Sequence, residues 1–160
     1  MVSSKERRTL INSTLHQWSQ DIKTKTFDEV LEKWPFLREI EGIILCFKCI
    51  SGLKKLDHLD KRFKRLLNGL SAQTAVETLE AVLKKSGDGG PLVYDDSQDE
   101  MPSYPIIMKN EGPYLWVRIE NQDLYKTDSA KQVLYCWAFT FEVFGFQIPE
   151  CLMGLATKFI

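Results

Sequence analysis

The chain lacks any run of about 18 uninterrupted apolar residues, the length that marks a membrane-crossing helix. The nearest approach, residues 133–149, contains Glu142 and Gln147 and ends at Pro149, so no membrane partner is expected. An excess of one charge is also missing. The 21 Lys and Arg stand against 22 Asp and Glu, a net of −1, and no global field draws the chain toward nucleic acid or a lipid surface. Histidine is scarce, and neither His16 nor His58 falls in a metal-ligand spacing. The opening MVSSKERRTL has no apolar core of a secretory signal. Val2 stands where myristoylation requires glycine, and no prenylation box closes the chain. Four cysteines in that setting read as reduced thiols, which gives a cytoplasmic or nuclear expectation. A nucleophile elbow, paired zinc histidines and a kinase signature are all absent. Neither enzymatic activity nor a cofactor is therefore expected.

What is present suits an ordinary globular chain. Its 160 residues are 44% hydrophobic and 27% charged. A chain of this length buries roughly two-thirds of its unfolded surface and needs no metal or disulfide to fold. The expectation is a single domain over residues 1–160. It divides into a helical part (5–85), an acidic flexible loop (86–103), and a hairpin with helices (104–160). Charge is distributed unevenly. Residues 1–90 carry 16 Lys and Arg against 12 Asp and Glu, net +4, and residues 91–160 carry 5 against 10, net −5. Such asymmetry marks either a basic binding face or a pairing of the two halves.

The most apolar stretch is residues 130–146, AKQVLYCWAFTFEVFGF. Val133, Leu134, Trp137, Ala138, Phe141 and Phe144 recur at helical spacing, and Tyr135, Cys136, Phe139 and Val143 make the other faces apolar. A helix apolar nearly all round is buried on several sides. This one is expected to be the central post, capped by Asp128 or Ser129.

Ahead of it, the periodicity predicts about five amphipathic helices. The first covers residues 5–20 behind a frayed 1–4, with Ile11, Leu15, Trp18 and Ile22 on one stripe. The second starts at the box Thr26-Phe27-Asp28-Glu29 and stops at Trp34, because Pro35 pushes its predecessor out of the helical region. The third covers 39–50, with Ile40, Ile43, Ile44, Phe47 and Ile50 inward and Gly52 as its C-cap. The fourth covers 55–67 and ends at Asn68-Gly69. The fifth, capped by Ser71 or Thr74, ends at Gly87. Within the loop that follows, Gly87-Asp88-Gly89-Gly90-Pro91 reads as a linker, since no strand-to-helix turn surrounds it as a phosphate cradle requires.

The period then changes. Residues 104–108 and 114–119, separated by Asn110-Glu111-Gly112-Pro113, predict a hairpin. A third strand at 123–126 follows a turn at Asn121-Gln122. Pro149 fits the first turn of a final helix.

Three features bear on function. Cys46-Phe47-Lys48-Cys49 is a C-x-x-C without a second ligand pair, set inside an apolar helical pattern. Core cysteines account for it better than zinc or redox chemistry. The helix at 54–67 carries Lys54, His58, Lys61, Arg62 and Arg65 along an outer stripe. Contact with phosphates is one use of such a stripe, and a solvated face set against the acidic loop explains it equally well. The hairpin supplies Tyr104, Tyr114 and Trp116, aromatics placed where a protein partner could meet them.

The stretch Val30-Leu-Glu-Lys-Trp-Pro-Phe-Leu, with Ile43, Phe47, Ile50 and Leu66-Leu67 beyond it, resembles a helical region of the sterile-alpha-motif-domain-containing-3-like animal proteins. The later order is similar too: Tyr104-Pro-Ile-Ile, then Leu115-Trp-Val-Arg-Ile, then Tyr135-Cys-Trp-Ala-Phe-Thr-Phe-Glu-Val-Phe with Pro149 after it. The likeness covers roughly residues 27–155. It does not include the sterile alpha motif domain, so the family's name lends no function. The resemblance implies a non-enzymatic module of an assembly or mobile-element protein.

These observations predict an α+β, mostly helical fold, with about five N-terminal helices, a β-hairpin or three-strand meander, a buried aromatic helix and a final helix. The favoured role is a protein-interaction or assembly module, self-association included. The alternative is a nucleic-acid-binding domain that uses the basic face at 54–65.

Overall fold

The computed structural model describes residues 3–69, 74–87, 91–97, 101–110 and 112–159. Over them the fold is α+β and mostly helical. Helix α1 (Ser4–Ser13) is set by Ser3, whose Oγ accepts the Glu6 amide at 3.1 Å while the Glu6 carboxylate accepts the Ser3 amide at 3.3 Å. The start expected to fray is thus capped from Ser3 onward. The predicted helix at 5–20 is divided at Thr14, and α2 spans Leu15–Thr24. The reason lies in the core. The buried Trp18 indole donates to the Ile11 carbonyl at 3.0 Å, so that carbonyl serves a side chain instead of continuing the helical ladder.

Thr26 Oγ1 accepts the Glu29 amide at 3.2 Å and starts α3 (Phe27–Lys33). Pro35 then opens a 3₁₀ turn, Pro35–Arg38. Helix α4 (Ile40–Ser51) passes so close to this turn that a Cβ built on Gly42 would lie 1.7 Å from the Phe36 carbonyl oxygen. Gly52, at φ +83°, ends α4 and leads straight into α5 (Leu53–Leu67). Helix α6 (Ala75–Ser86) is capped by Thr74, which accepts the Glu77 amide at 3.1 Å, and closes at Gly87. The other proposed cap, Ser71, lies outside the described residues, as do the linker glycines 89 and 90.

The acidic loop holds a strand that the sequence does not announce. Strand β1 (Val93–Tyr94) pairs in parallel with β2 (Ile106–Lys109), and two residues are too few to show an alternation. Strands β3 (Leu115–Ile119) and β4 (Gln122–Thr127) complete an antiparallel meander, in the order β1-β2-β3-β4. The β3–β4 turn is Glu120-Asn121, at φ +48° and +67°, one residue earlier than expected. Two left-handed residues in a two-residue turn match the twist of the flanking strands. Farther along β4, Tyr125 and Lys126 together oppose Trp116, which forms a bulge with Tyr125 at φ +58°. The extra residue lets Leu124 and Tyr125 both turn inward. The Tyr125 hydroxyl donates to the Leu37 carbonyl.

Helix α7 (Ala130–Phe144) starts at Ser129, whose Oγ accepts the Gln132 amide at 3.2 Å, and ends at Gly145. Ten of its 15 residues are buried, as an all-round apolar helix requires. On one side it meets α4, where Phe47 and Phe139 stack with ring centres 4.2 Å apart. On another it meets the sheet. A final helix, α8 (Met153–Phe159), follows a 3₁₀ turn at Glu150–Leu152, with Pro149 ahead of that turn and not inside α8. The main core runs continuously from Ile11 of α1 through the inward face of the sheet to Leu155 of α8. On the other sheet face, Tyr94, Ile106 and Met108 form a small second cluster. None of the described helices is long and apolar enough to cross a membrane.

Candidate interaction surfaces

The three hairpin aromatics do not form one exposed surface. Tyr104 and Trp116 are half-buried and pack on the second cluster with Met101. The alternation of the strand that points Trp116 away from the main core puts it over Met108, its cross-strand partner. The Tyr104 hydroxyl lies 3.7 Å from Cys151 Sγ, and burial is the main cause that pushes its pKa up. Tyr114 alone is well exposed, at 44%, and the Lys126 ammonium covers its ring at 4.7 Å.

Four of the five residues of the basic stripe are positioned as their spacing predicts. Lys54, His58, Lys61 and Arg65 are all exposed on α5, at intervals that keep them on one face. Lys61 pairs with Asp57 at 3.3 Å, an exposed contact worth little. Arg62 is turned away to a cleft of about 360 Å³ that it shares with Arg65, Lys85 and Thr157. There the Lys85 ammonium donates to the Arg65 and Asn68 carbonyls at 3.0 and 2.8 Å, a favourable placement at the C-terminal end of α5. The acidic loop does not answer the stripe through Asp96, which binds Arg118 at 3.4 Å.

The C-x-x-C pair is split by the packing of α4. Cys46 lies in the core, and burial drives its thiol pKa far up. Cys49 is partly buried and packs at the edge of the core. Its thiol donates to Asn12 Oδ1 at 2.8 Å, and burial raises its pKa as well. All four cysteines are free. Among the described residues, no three His, Cys, Asp or Glu side chains converge as a metal site.

Cys49 instead marks a groove that the sequence did not reveal. It joins a cleft of about 310 Å³ beside Arg8, Asn12, Lys48 and Leu53 to one of about 560 Å³ beside Leu15, Ile22 and Val143. Ile22 and Phe144 then join the second cleft to a smaller hollow of about 150 Å³ that reaches Lys25, Phe27 and Phe146. The three hollows adjoin through these shared residues as a shallow, interrupted channel along α1 and α2, crossed by the Asn12–Cys49 hydrogen bond, with α4 and the end of α7 opposite. At its α4–α5 corner, Ile50 and Leu53 are 42% and 70% exposed. Ile50 was expected inward by its helical period. The one signal available in the sequence was Leu53, an apolar residue just after Gly52 that fits neither neighbouring apolar stripe. Comparison with family models, with curated proteins and with solved structures finds no match to this chain.

Proposed function

We propose that this chain is a non-enzymatic protein-interaction module, and that the channel along α1 and α2 is its working surface. The observation that carries the reading is the exposed pair Ile50 and Leu53 beside the apolar floor at Cys49. Apolar side chains gathered at the lip of a concave surface gain by being covered. The test is a pull-down and sedimentation series on the purified chain. The wild type should capture a partner or self-associate, and the double variant Ile50→Glu, Leu53→Glu should lose that association while its circular dichroism is unchanged. A strict monomer that captures nothing, or association indifferent to the double variant, would refute the channel as an interaction surface.

The second reading, nucleic-acid binding through α5, is favoured by the exposure of Lys54, His58, Lys61 and Arg65 on one face. It predicts binding at low salt that weakens steeply as salt rises. It would fall if Lys61→Glu, Arg62→Glu, Arg65→Glu left that binding unchanged.

A further inference from the structure

The channel differs in charge between floor and rim. Its floor is apolar, built from Leu45, Cys49, Val143, Ile22 and Phe144. Arg8 and Lys48 stand at one end and Lys23 along the α2 wall. Among the described residues none of these three has a salt-bridge partner, whereas the rim carboxylate of Glu142 is already held by Lys55 at 2.8 Å. Along Arg8, Lys48 and Lys23 the rim therefore carries positive charge that the described residues leave unanswered, while the Glu120 carboxylate lines the far hollow.

We infer that the channel receives an acidic amphipathic helix from a partner protein, an inference that rests on the interaction role proposed above. A helix laid in such a groove sends apolar residues at i, i+3 or i+4, and i+7 onto the floor. Its flanks then face Arg8, Lys48 and Lys23, and Asp or Glu on those flanks complements them. Nucleic acid brings negative charge but no row of aliphatic side chains to fill the floor.

The test uses the full chain and three labelled peptides of about 18 residues, about five helical turns each. One is amphipathic with Leu at helical spacing and Glu on the flanks. The second has Lys in place of Glu, and the third is a scramble of the first. Fluorescence anisotropy should show the acidic amphipathic peptide binding at least about tenfold more tightly than either control. Binding should weaken as salt rises from about 0.05 to about 0.5 M. It should be lost in Ile50→Glu, Leu53→Glu and reduced in Arg8→Glu, Lys48→Glu, with both variants folded by circular dichroism. Equal binding of the basic or scrambled peptide would overturn the inference. So would an absence of binding by all three, displacement by a single-stranded oligonucleotide, or a dimer that Leu53→Glu dissolves. Failure here alongside partner capture that Ile50→Glu, Leu53→Glu abolishes would leave the interaction role standing and remove only the acidic helix. Failure of both would remove the two together.

Discussion

The Trp137 indole donates to the Pro105 carbonyl at 2.8 Å inside the core, so the central helix is tied to the strand layer by a polar bond as well as by packing. Trp137 is also edge-on to Phe141, with ring centres 4.9 Å apart. Trp137→Ala is expected to cost about 3–5 kcal/mol, from lost apolar burial, a cavity and an orphaned carbonyl. Chemical unfolding followed by far-ultraviolet dichroism and by tryptophan emission should give one coincident transition in the wild type and a shifted one in the variant. Two separate transitions would contradict a core shared by helices and sheet.

Gly42 gives a prediction of unusual sign. A glycine inside a helix normally gains about 1 kcal/mol on replacement by alanine. Here the added Cβ would meet the Phe36 carbonyl oxygen at 1.7 Å, and backbone on both sides must move. Gly42→Ala is therefore expected to destabilise by more than about 2 kcal/mol. A urea midpoint at or above that of the wild type would show that α4 and the 3₁₀ turn are not packed this closely.

Asp21 should steepen the acid limb of stability. Its carboxylate accepts the Trp34 indole N–H at 2.9 Å and faces Lys33 at 3.0 Å and Lys25 at 3.7 Å. The Trp34 hydrogen bond first, and Lys33 next, lower its pKa below the ordinary 3.8. A depressed folded-state pKa means that the unfolded chain binds the proton more readily. The stabilisation is then present above the ordinary carboxylate range and is lost as pH falls through the folded pKa. Asp21→Asn should lower the urea midpoint at neutral pH and converge on the wild type near pH ~2. Parallel profiles across that range would contradict the prediction.

The four thiols should separate by environment. Cys151 is exposed, Cys49 half-exposed, and Cys46 and Cys136 buried; burial pushes the Cys136 pKa up to about 12. Iodoacetamide at neutral pH, read by peptide mass spectrometry, should label Cys151 first and leave Cys46 and Cys136 unlabelled until the chain unfolds. The buried thiols also predict an alkaline loss of stability. Their folded pKa values lie above those of the unfolded chain, so stability is full below the ordinary 9.0 and falls as pH rises from there toward the folded values. Rapid labelling of Cys136 in the native state would show that α7 is less enclosed than described.

What could be read from the sequence depended on how local the cause was. Helix α7 was legible because apolar residues facing every direction permit only a buried position, and ten of its 15 residues are buried. The caps at Thr26 and Thr74 were legible because each acts within three residues. The basic face of α5 follows from its period alone. The break at Thr14 was not legible, because its cause is an indole seven residues from the carbonyl it engages. Strand β1 depends on a partner 14 residues later in register, with two residues of its own. The channel is further still from sequence: its walls come from α1, α2, α4 and α7, and no single period marks them. Ile50 keeps the apolar spacing of α4 yet sits in the last turn, where it stays 42% exposed.

The bulge at Tyr125 has a consequence for how this protein behaves in company. Strand β4 lies at the flank of the sheet with no further strand beyond it among the described residues. A regular edge offers its free amides and carbonyls as a template for another extended chain. Here Tyr125 in the left-handed region breaks that regular row midway. Near the start of the strand, the Gln122 side chain donates to Asp28 and accepts from Arg38 at 3.3 Å. Edge-to-edge growth by strand addition is therefore obstructed along β4, at mid-strand by the bulge and near its start by the engaged Gln122 side chain.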